Sequence, residues 1–524
     1  MKWDKGRFKT LPEIAGRCGE PPDSNGSRIS PNIRGLLLTL LLLAVLGGCK
    51  SSLPEWTPMK YAPPASGKVW KALPDARPES LPSEELPGIP PELQPEASTL
   101  TLVQLVDVAL RTNPSTREAW EQARAAAADW AIARGSYYPT LEATATGVGG
   151  KLPQTAGLSS FRGVYGEVGL SLSYLLLDFG GRAARVEAAH QALIAANWNH
   201  NQIIQDVLRN VPQAYYTYLG NKALVRADEI NLEEAETSLR ATEMRRRAGV
   251  STIADVLQAK ANMEEVRFNL VSDRGSVEIA RGRLATAVGW PANQTFDVAQ
   301  EPEGLPLDKI DQNTKKLIEL SQQERPELTA ARAAVRQREA ELREAEAALW
   351  PKLMATGNVG VSGVDGKVDI GDINASQSNY YGGLQLQIPI FEGMALRNTV
   401  KKAQANLEAA RSALRLKQET VIADVWDAYH NFRTAAQQLE TSESLVASSK
   451  QSYDVSLARY KAGAAEIVEL LNAQSTLAKA RAQRVKARTS LYTSYAELLH
   501  AIGSELPVNT SGKSTGSTGE GGNT

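Results

Sequence analysis

Two kinds of apolar spacing alternate along this chain, and each is met twice. Val168, Leu170, Leu172 and Tyr174 occupy every second position, with Glu167, Gly169, Ser171 and Ser173 between them. Further on, Leu384, Leu386, Ile388 and Ile390 alternate with Gln385, Gln387 and Pro389. A period of two with one apolar and one polar face predicts β-strands. Weaker partners lie just upstream, with Leu141, Ala143 and Ala145 in one stretch and Leu353, Ala355, Val359 and Val361 in the other. The connections from Lys151 to Gly163 and from Asp365 to Asn379 are polar and carry glycine. Each stretch is therefore read as one hairpin of strands ~10 residues long, the length that crosses a bilayer at a tilt.

Behind each hairpin the period changes to that of helices. From Met394 to Ala462 there is neither glycine nor proline, and the composition favours good helix formers. A rod of that length would measure ~100 Å at ~1.5 Å per residue. Its counterpart, about Arg182 to Arg247, contains Pro212 and Gly220, and the proline predicts a kink. Two return helices follow with a seven-residue beat: Val256, Ala259, Met263, Val266, Leu270, Val277, Ala280, Leu284 and Ala287 in the first, and Leu470, Ala473, Leu477, Ala480, Ala487, Leu491, Leu498 and Ala501 in the second. Heptads of large and small residues mean helices packed as coiled coils. Asp273 and Arg484 interrupt the beat, so the seam is not dry throughout. Gly503 is a natural C-terminal stop.

The two stretches are copies. Arg247-Ala248-Gly249 followed by Asp255-Val256-Leu257-Gln258-Ala259 returns as Lys461-Ala462-Gly463 followed by Glu469-Leu470-Leu471-Asn472-Ala473. Pro114 and Pro326, Pro139 and Pro351, Ala214-Tyr215 and Ala428-Tyr429, and Gly289 and Gly503 keep nearly the same step. A repeat of about 214 residues is far longer than a solenoid unit and predicts a duplicated half that packs on its twin. The boundaries read as 99–290 and 313–503, joined by an equatorial linker, 291–312.

Ahead of the repeats, GLLLTLLLLAVL from Gly35 to Leu46 follows Arg28 and Arg34 and leads to Gly47-Gly48-Cys49. This reads as a secretory signal within a leader, 1–48; a retained membrane anchor is the alternative. The polar leader is long for a signal, which raises a start downstream of Met1 as a second alternative. Leu46-Gly47-Gly48-Cys49 resembles the bacterial lipoprotein cleavage box, which implies a lipid on the Cys49 thiol, and Lys50 in place of aspartate implies delivery to the outer membrane. The other cysteine, Cys18, falls in the leader, so the mature chain has no disulfide framework. Prolines every few residues predict an extended, lipid-anchored arm over 49–98. The Gly/Ser/Thr-rich tail, 504–524, predicts disorder.

Strands that cross a bilayer must close into a barrel, because lipid offers no partner to an open edge. Four strands cannot close, and known barrels begin at ~8. Several chains must therefore combine, with eight strands from a dimer or twelve from a trimer. An ordinary soluble sheet is the alternative, disfavoured by the signal and the rods.

The order of short helix, hairpin, long helix, tip turn and return helix, run twice behind a lipobox, resembles the TolC family of outer-membrane efflux ducts in its lipoprotein branch. The resemblance covers about Leu100 to Gly503 and is carried by Asn113-Pro114, Tyr138-Pro139, Asp178-Phe179-Gly180-Gly181-Arg182, Phe391-Glu392-Gly393 and the two tip motifs. It implies a mainly α protomer with a membrane β-barrel portion, and a homotrimer forming a twelve-strand barrel and a twelve-helix periplasmic tunnel. It also implies a periplasmic membrane-fusion adaptor meeting the tips at Gly249, Val250, Ser251, Gly463, Ala464 and Ala465, and an inner-membrane transporter behind it. Two acidic positions ring the closed mouth in the family. Here they align with Glu469 and Asn472, and Glu466 stands one helical turn away on the same face. Tyr460 matches a tyrosine of the family's closing network and Asp255 an acidic partner, while Ala465 replaces the arginine that joins that acid elsewhere. Arg245, Arg246 and Arg247 are then expected to supply cations to Glu466 and Glu469; solvated surface charges are the alternative.

Charge and composition narrow the function further. Lys and Arg number 58 against 59 Asp and Glu, for a net charge of -1, which gives no general case for nucleic-acid binding. The four histidines show no metal-ligand spacing, and Asp178-Phe179-Gly180 lacks the other kinase motifs and reads as a strand-to-helix corner. No enzyme, cofactor or metal site is expected. The leading reading is a passive exit duct for efflux, driven by an inner-membrane pump through the adaptor. A type I protein-secretion duct is the alternative within that class, and a periplasmic coiled-coil adaptor is the competitor from another.

Overall fold

A computed structural model describes residues 88–152, 161–299, 313–368 and 371–503. The leader, Cys49, most of the arm, the linker from 300 to 312 and the tail lie outside the described residues, so the expectations placed on them meet no structure. Where the proline-rich arm is described it departs from an extended chain, because Pro91–Glu96 forms a 3-10 helix. Pro91 opens that turn, where its missing N–H would have had no helical partner anyway.

Each half then repeats one plan. Helices α1 (Leu102–Thr112) and α2 (Pro114–Gly135) lead to strands β1 (Thr140–Leu152) and β2 (Phe161–Leu177), then to the rod α3 (Gly181–Arg247) and its return helix α4 (Ile253–Val288). The second half gives α5 (Thr314–Glu324), α6 (Pro326–Ala347), β3 (Lys352–Val368), β4 (Gly371–Gln387), α7 (Ala395–Lys461) and α8 (Ile467–Ala501). Both rods contain 67 residues. α3 runs through Pro212 without a break. The start of α2 is fixed by Asn113, whose Oδ1 accepts from Ser115 N at 2.9 Å while Nδ2 donates to the Ala287 carbonyl at 3.0 Å, tying the first repeat's entry to the end of α4.

The four strands form one antiparallel sheet in the order β1-β2-β3-β4. They are longer than the hydrophobic alternation suggests, at 13, 17, 17 and 17 residues. Much of the polar stretches read as connections is ladder instead, with Lys151 opposite Arg162 and Asp365 opposite Asn374. Ladder bonds are made by the backbone, so polar side chains extend a strand as readily as apolar ones. At its other end β4 stops at Gln387, and Ile388 and Ile390 fall outside it. Pro389 has no N–H to give the ladder, which ends the strand there.

The register sorts the two faces. One cross-strand row reads Ala143, Leu170, Val359, Tyr380, and the next Ala145, Val168, Val361, Ser378. The opposite face reads Glu142, Ser171, Asn358, Tyr381 and Thr146, Glu167, Ser362, Gln377. Leu384 on the first face is 70% exposed, with Leu141, Val168 and Val359 similarly open.

Two neighbour orders govern the helices. Near the sheet α2 packs on α3, α3 on α6, and α6 on α7; nearer the tips α4 packs on α3, α3 on α8, and α8 on α7. The core is correspondingly distributed along the rods. One cluster gathers Leu105, Val211, Tyr215, Leu284 and Trp290, a second Val425, Phe432, Leu491 and Leu498, and a third lies at the tips around Tyr453, Tyr460, Leu470 and Leu477.

Candidate functional site at the helix tips

Each rod turns into its return helix through a glycine in the left-handed region, Gly249 at φ 75° and Gly463 at φ 81°. Only glycine takes this conformation without strain, which explains why both copies place it there. Around Gly249 the turn closes with Val250 N donating to the Arg245 carbonyl at 2.9 Å, and around Gly463 with Ala464 N donating to the Arg459 carbonyl at 2.8 Å. Val250, Gly249, Gly463 and Ala464 are exposed, and Ser251 and Ala465 half-buried, so these six residues form the end surface of the rods.

α4 begins with a capping box. Thr252 Oγ1 accepts from Asp255 N at 3.2 Å, while Asp255 Oδ2 accepts from Thr252 N at 2.8 Å and from Ser251 Oγ at 2.7 Å. These donors hold the Asp255 carboxyl below its ordinary range, the Thr252 backbone N–H contributing most and the Ser251 hydroxyl next. Asp255 thus serves the turn of its own repeat. α8 starts differently, with Glu466 at its N-cap and no side-chain capping bond.

The link between repeats centres on Tyr460, which is 2% exposed. Its hydroxyl donates to Thr242 Oγ1 at 3.1 Å, and Thr242 in turn donates to the Ser238 carbonyl at 2.8 Å. The Arg245 guanidinium lies 4.7 Å from the centre of the Tyr460 ring and its Nη1 donates to the Tyr460 carbonyl. One arginine therefore grips the end of α7 from α3 by ring face and backbone together.

The expected pairing of the three arginines with Glu466 and Glu469 is absent from the protomer. Glu469 takes its cation from its own repeat, with Arg459 Nη1 at 2.7 Å, and Arg459 Nη2 also reaches the Ala464 carbonyl at 3.3 Å. The physical reason is distance along the turn: Arg459 and Glu469 face each other across Gly463, whereas Arg245 is already engaged by Tyr460. Arg246, Arg247, Glu466 and Asn472 are exposed. Both partners of the Arg459–Glu469 pair are substantially open to solvent, where such pairs contribute ~0–1 kcal/mol. Sequence reasoning missed Arg459, Thr242 and Ser238. The capping box of Thr252 and Asp255 was missed as well, although its Thr-x-x-Asp spacing is a local signal that could have found it, while nothing local marks a contact between residues more than two hundred positions apart.

Higher on the rods a second polar link joins α3 to α8. Arg481 reaches both oxygens of Glu234 at 2.8 Å each and Asn231 Oδ1 at 2.7 Å. Nearer the sheet, Asp178 caps α3 by accepting from Arg182 N, and Arg182 Nη1 donates to the Leu175 carbonyl at 2.9 Å. Asp178-Phe179-Gly180 is a strand-to-helix corner.

The model of outer membrane efflux proteins matches the chain twice, over residues 105–290 and 317–504. The chain belongs to the outer membrane efflux protein family. The family is one of outer-membrane channels and not of enzymes. Among its relatives, Protein CyaE of Bordetella pertussis is 28% identical over 82% of this chain and 90% of its own. The pyoverdine export outer membrane protein OpmQ of Pseudomonas aeruginosa is 27% identical over 77% of this chain and 85% of its own. A crystal structure of a membrane protein from Pseudomonas aeruginosa superposes with a TM-score of 0.68 at 27% identity, covering 77% of this chain and 93% of that one. The outer membrane protein VceC of Vibrio cholerae shares the fold, with a TM-score of 0.67 at 20% identity over 77% of this chain and 96% of its own. Membership of this efflux family places the chain in the outer membrane, as an exit duct.

Proposed function

We propose that three copies of this chain close into a duct through the outer membrane and periplasm, forming the exit of a tripartite efflux system. The observation that carries this reading is that sheet and rods are left open at the same two edges. The sheet has β1 and β4 unpaired at its ends. The upper helices run α2, α3, α6, α7 in the same sense, and the lower ones α4, α3, α8, α7. One side of the protomer therefore offers β1, α2 and α4, and the other β4 and α7. Unlike edges that meet head to tail make a ring. Leu257 and Phe268 stand exposed on α4, and Val455 and Leu445 on α7. Counted from the tip, Leu257 is level with Val455 and Phe268 with Leu445, so the two apolar stripes match in height.

Twelve strands would then place the Leu, Val and Tyr rows in lipid. From Ser378 to Leu386 that face extends ~27 Å at ~3.4 Å per residue, against a typical apolar band of ~25 Å. The polar rows with Glu142, Glu167, Ser171 and Ser173 would line the lumen, joined near the rods by Gln385 and Gln387. Such a wall is wide and unselective, so substrate choice falls to the pump.

The tips carry the gate and the adaptor surface in this reading. Gly249, Val250, Ser251, Gly463, Ala464 and Ala465 meet a periplasmic adaptor, behind which stands an inner-membrane transporter. Tyr460, held by Arg245 and Thr242, fastens the two hairpins, and Asp255 stiffens the first turn. Glu466, Glu469 and Asn472 with Arg247 surround the mouth. Cys49 carries the lipid, and 49–98 runs from it to the first repeat. OpmQ and TtgC are named as an export protein and an efflux pump component, which favours efflux over protein secretion. Native mass spectrometry and planar-bilayer conductance of the full acylated chain test the reading. A trimer that conducts is expected; a water-soluble monomer that leaves bilayers tight would refute it.

A further inference from the structure

The end of the sheet farthest from the rods gathers positive charge on the face that carries the apolar rows. Lys151 stands directly opposite Arg162, and Arg162 opposite Lys367, so three cations occupy one cross-strand row through β1, β2 and β3. Alternate residues along a strand share a face, and counting by twos from Ala145, Val168 and Val361 reaches these three. All three side chains are exposed.

Acids answer this row from one side only. Lys367 Nζ lies 3.7 Å from Asp372 Oδ1 on β4, a weak pair because both side chains stand open to water. Asp365 shares the face two residues back along β3, opposite Val164, and the connection from β3 to β4 adds Asp369. On the other side, neither Lys151 nor Arg162 has a hydrogen bond or ion pair among the described residues. The connection between their strands, 153–160, contains no Asp or Glu. Like charges directly opposite destabilise a strand pair, and an anion shared between them removes that repulsion.

The level of the row says which anion. Fourteen residues separate Asp372, at the end of the row, from Leu386 on the same face near the rods. That is ~48 Å along a strand and ~36 Å of height at a tilt of ~40°. An apolar band of ~25 Å leaves the row ~11 Å above it, in the headgroup layer, and long basic side chains reach back toward that boundary. Below the row on β2, Val164, Val168 and Leu170 are exposed, so acyl chains beneath a bound headgroup meet apolar surface. A free anion makes no use of that surface.

We propose that Lys151, Arg162 and Lys367 are a docking site for phosphorylated lipid of the outer leaflet. A phosphate between Lys151 and Arg162 accepts from both, the planar guanidinium supplying paired N–H donors and the ammonium a compact charge. Lys367 adds to the field from the far side of Arg162. The contact fixes the depth of the sheet at its outer end. The proposal rests on the barrel reading, which turns the Leu and Val face to lipid.

Native mass spectrometry of the full acylated chain in detergent, titrated with diphosphorylated lipid A, tests this. The wild type is expected to bind that lipid about tenfold more tightly than its dephosphorylated form. Lys151→Gln combined with Arg162→Gln removes the preference, whereas Lys352→Gln, at the rod end of β3 on the opposite face, keeps it. Equal binding of the two lipids by the wild type, or an unchanged preference in the double variant, would overturn the site; the wild-type comparison decides without any variant. Displacement of the lipid by inorganic phosphate alone would also overturn it, making the row a free-anion site. The same spectra count subunits, so a conducting trimer without the preference refutes the site and leaves the duct, while a monomer refutes both.

Discussion

Gly220 sits inside α3 where the first repeat crosses the second, and its substitution measures how close the two halves approach. A Cβ built at Gly220 overlaps Thr489 Oγ1 on α8 and lies 3.0 Å from its Cγ2 and 3.1 Å from its Cβ. Turning the threonine does not relieve this, because its Cβ is fixed by the backbone and its hydroxyl is tied to the Val485 carbonyl at 2.9 Å. The helices must separate by a few tenths of an ångström. They are pinned on both sides of the crossing, by Arg481–Glu234 toward the tip and by Gln213–Glu497 at 2.5 Å in the other direction. Forcing an extra methyl into such a contact costs about 1–3 kcal/mol. Removing glycine from a helix interior returns about 1 kcal/mol. Gly220→Ala is therefore expected to lose ~1 kcal/mol net in the wild-type background. Combined with Thr489→Ala, which removes Oγ1 and Cγ2, only the 3.1 Å approach to Cβ remains, so most of the clash is relieved against the helix gain and the same change becomes close to neutral. The assay is a double-mutant cycle on the thermal unfolding of the helical circular-dichroism signal, with a coupling of ~1–2 kcal/mol expected. An equal loss from Gly220→Ala in both backgrounds would show that the approach to Thr489 is not what requires glycine.

Two further predictions bear on the ends and edges of the rods. Arg245→Ala removes a ring contact of ~0.5–2 kcal/mol and a charged bond to a buried carbonyl of ~1.5–3 kcal/mol, so closed-state leak in planar bilayers should rise by at least tenfold; Arg247→Ala, lacking those contacts, changes it less, and equal effects would remove Tyr460 from the gate. Phe268→Lys places a charge on the exposed stripe of α4 and is expected to lower the trimer fraction in native mass spectrometry while leaving monomer helicity unchanged; an unaltered trimer would place the subunit seam elsewhere.

Much of this protein is local and can be read from its residues. Heptads, uninterrupted helix formers and left-handed glycines locate the rods and tips because helix formation and turn geometry depend on neighbours within a few positions. Period-two alternation finds the sheet for the same reason, although the polar ladder beyond the alternation escapes it, since backbone bonding leaves no side-chain signature. Pairing between charged groups is decided otherwise. The run Arg245, Arg246, Arg247 suggests three equal partners for the acids at the mouth, yet only the packing of α3 against the second helical hairpin turns Arg245 onto Tyr460 and leaves Glu469 to Arg459. A side chain's charge state depends on what the fold brings within a few ångströms of it, from residues that the chain keeps tens or hundreds of positions apart.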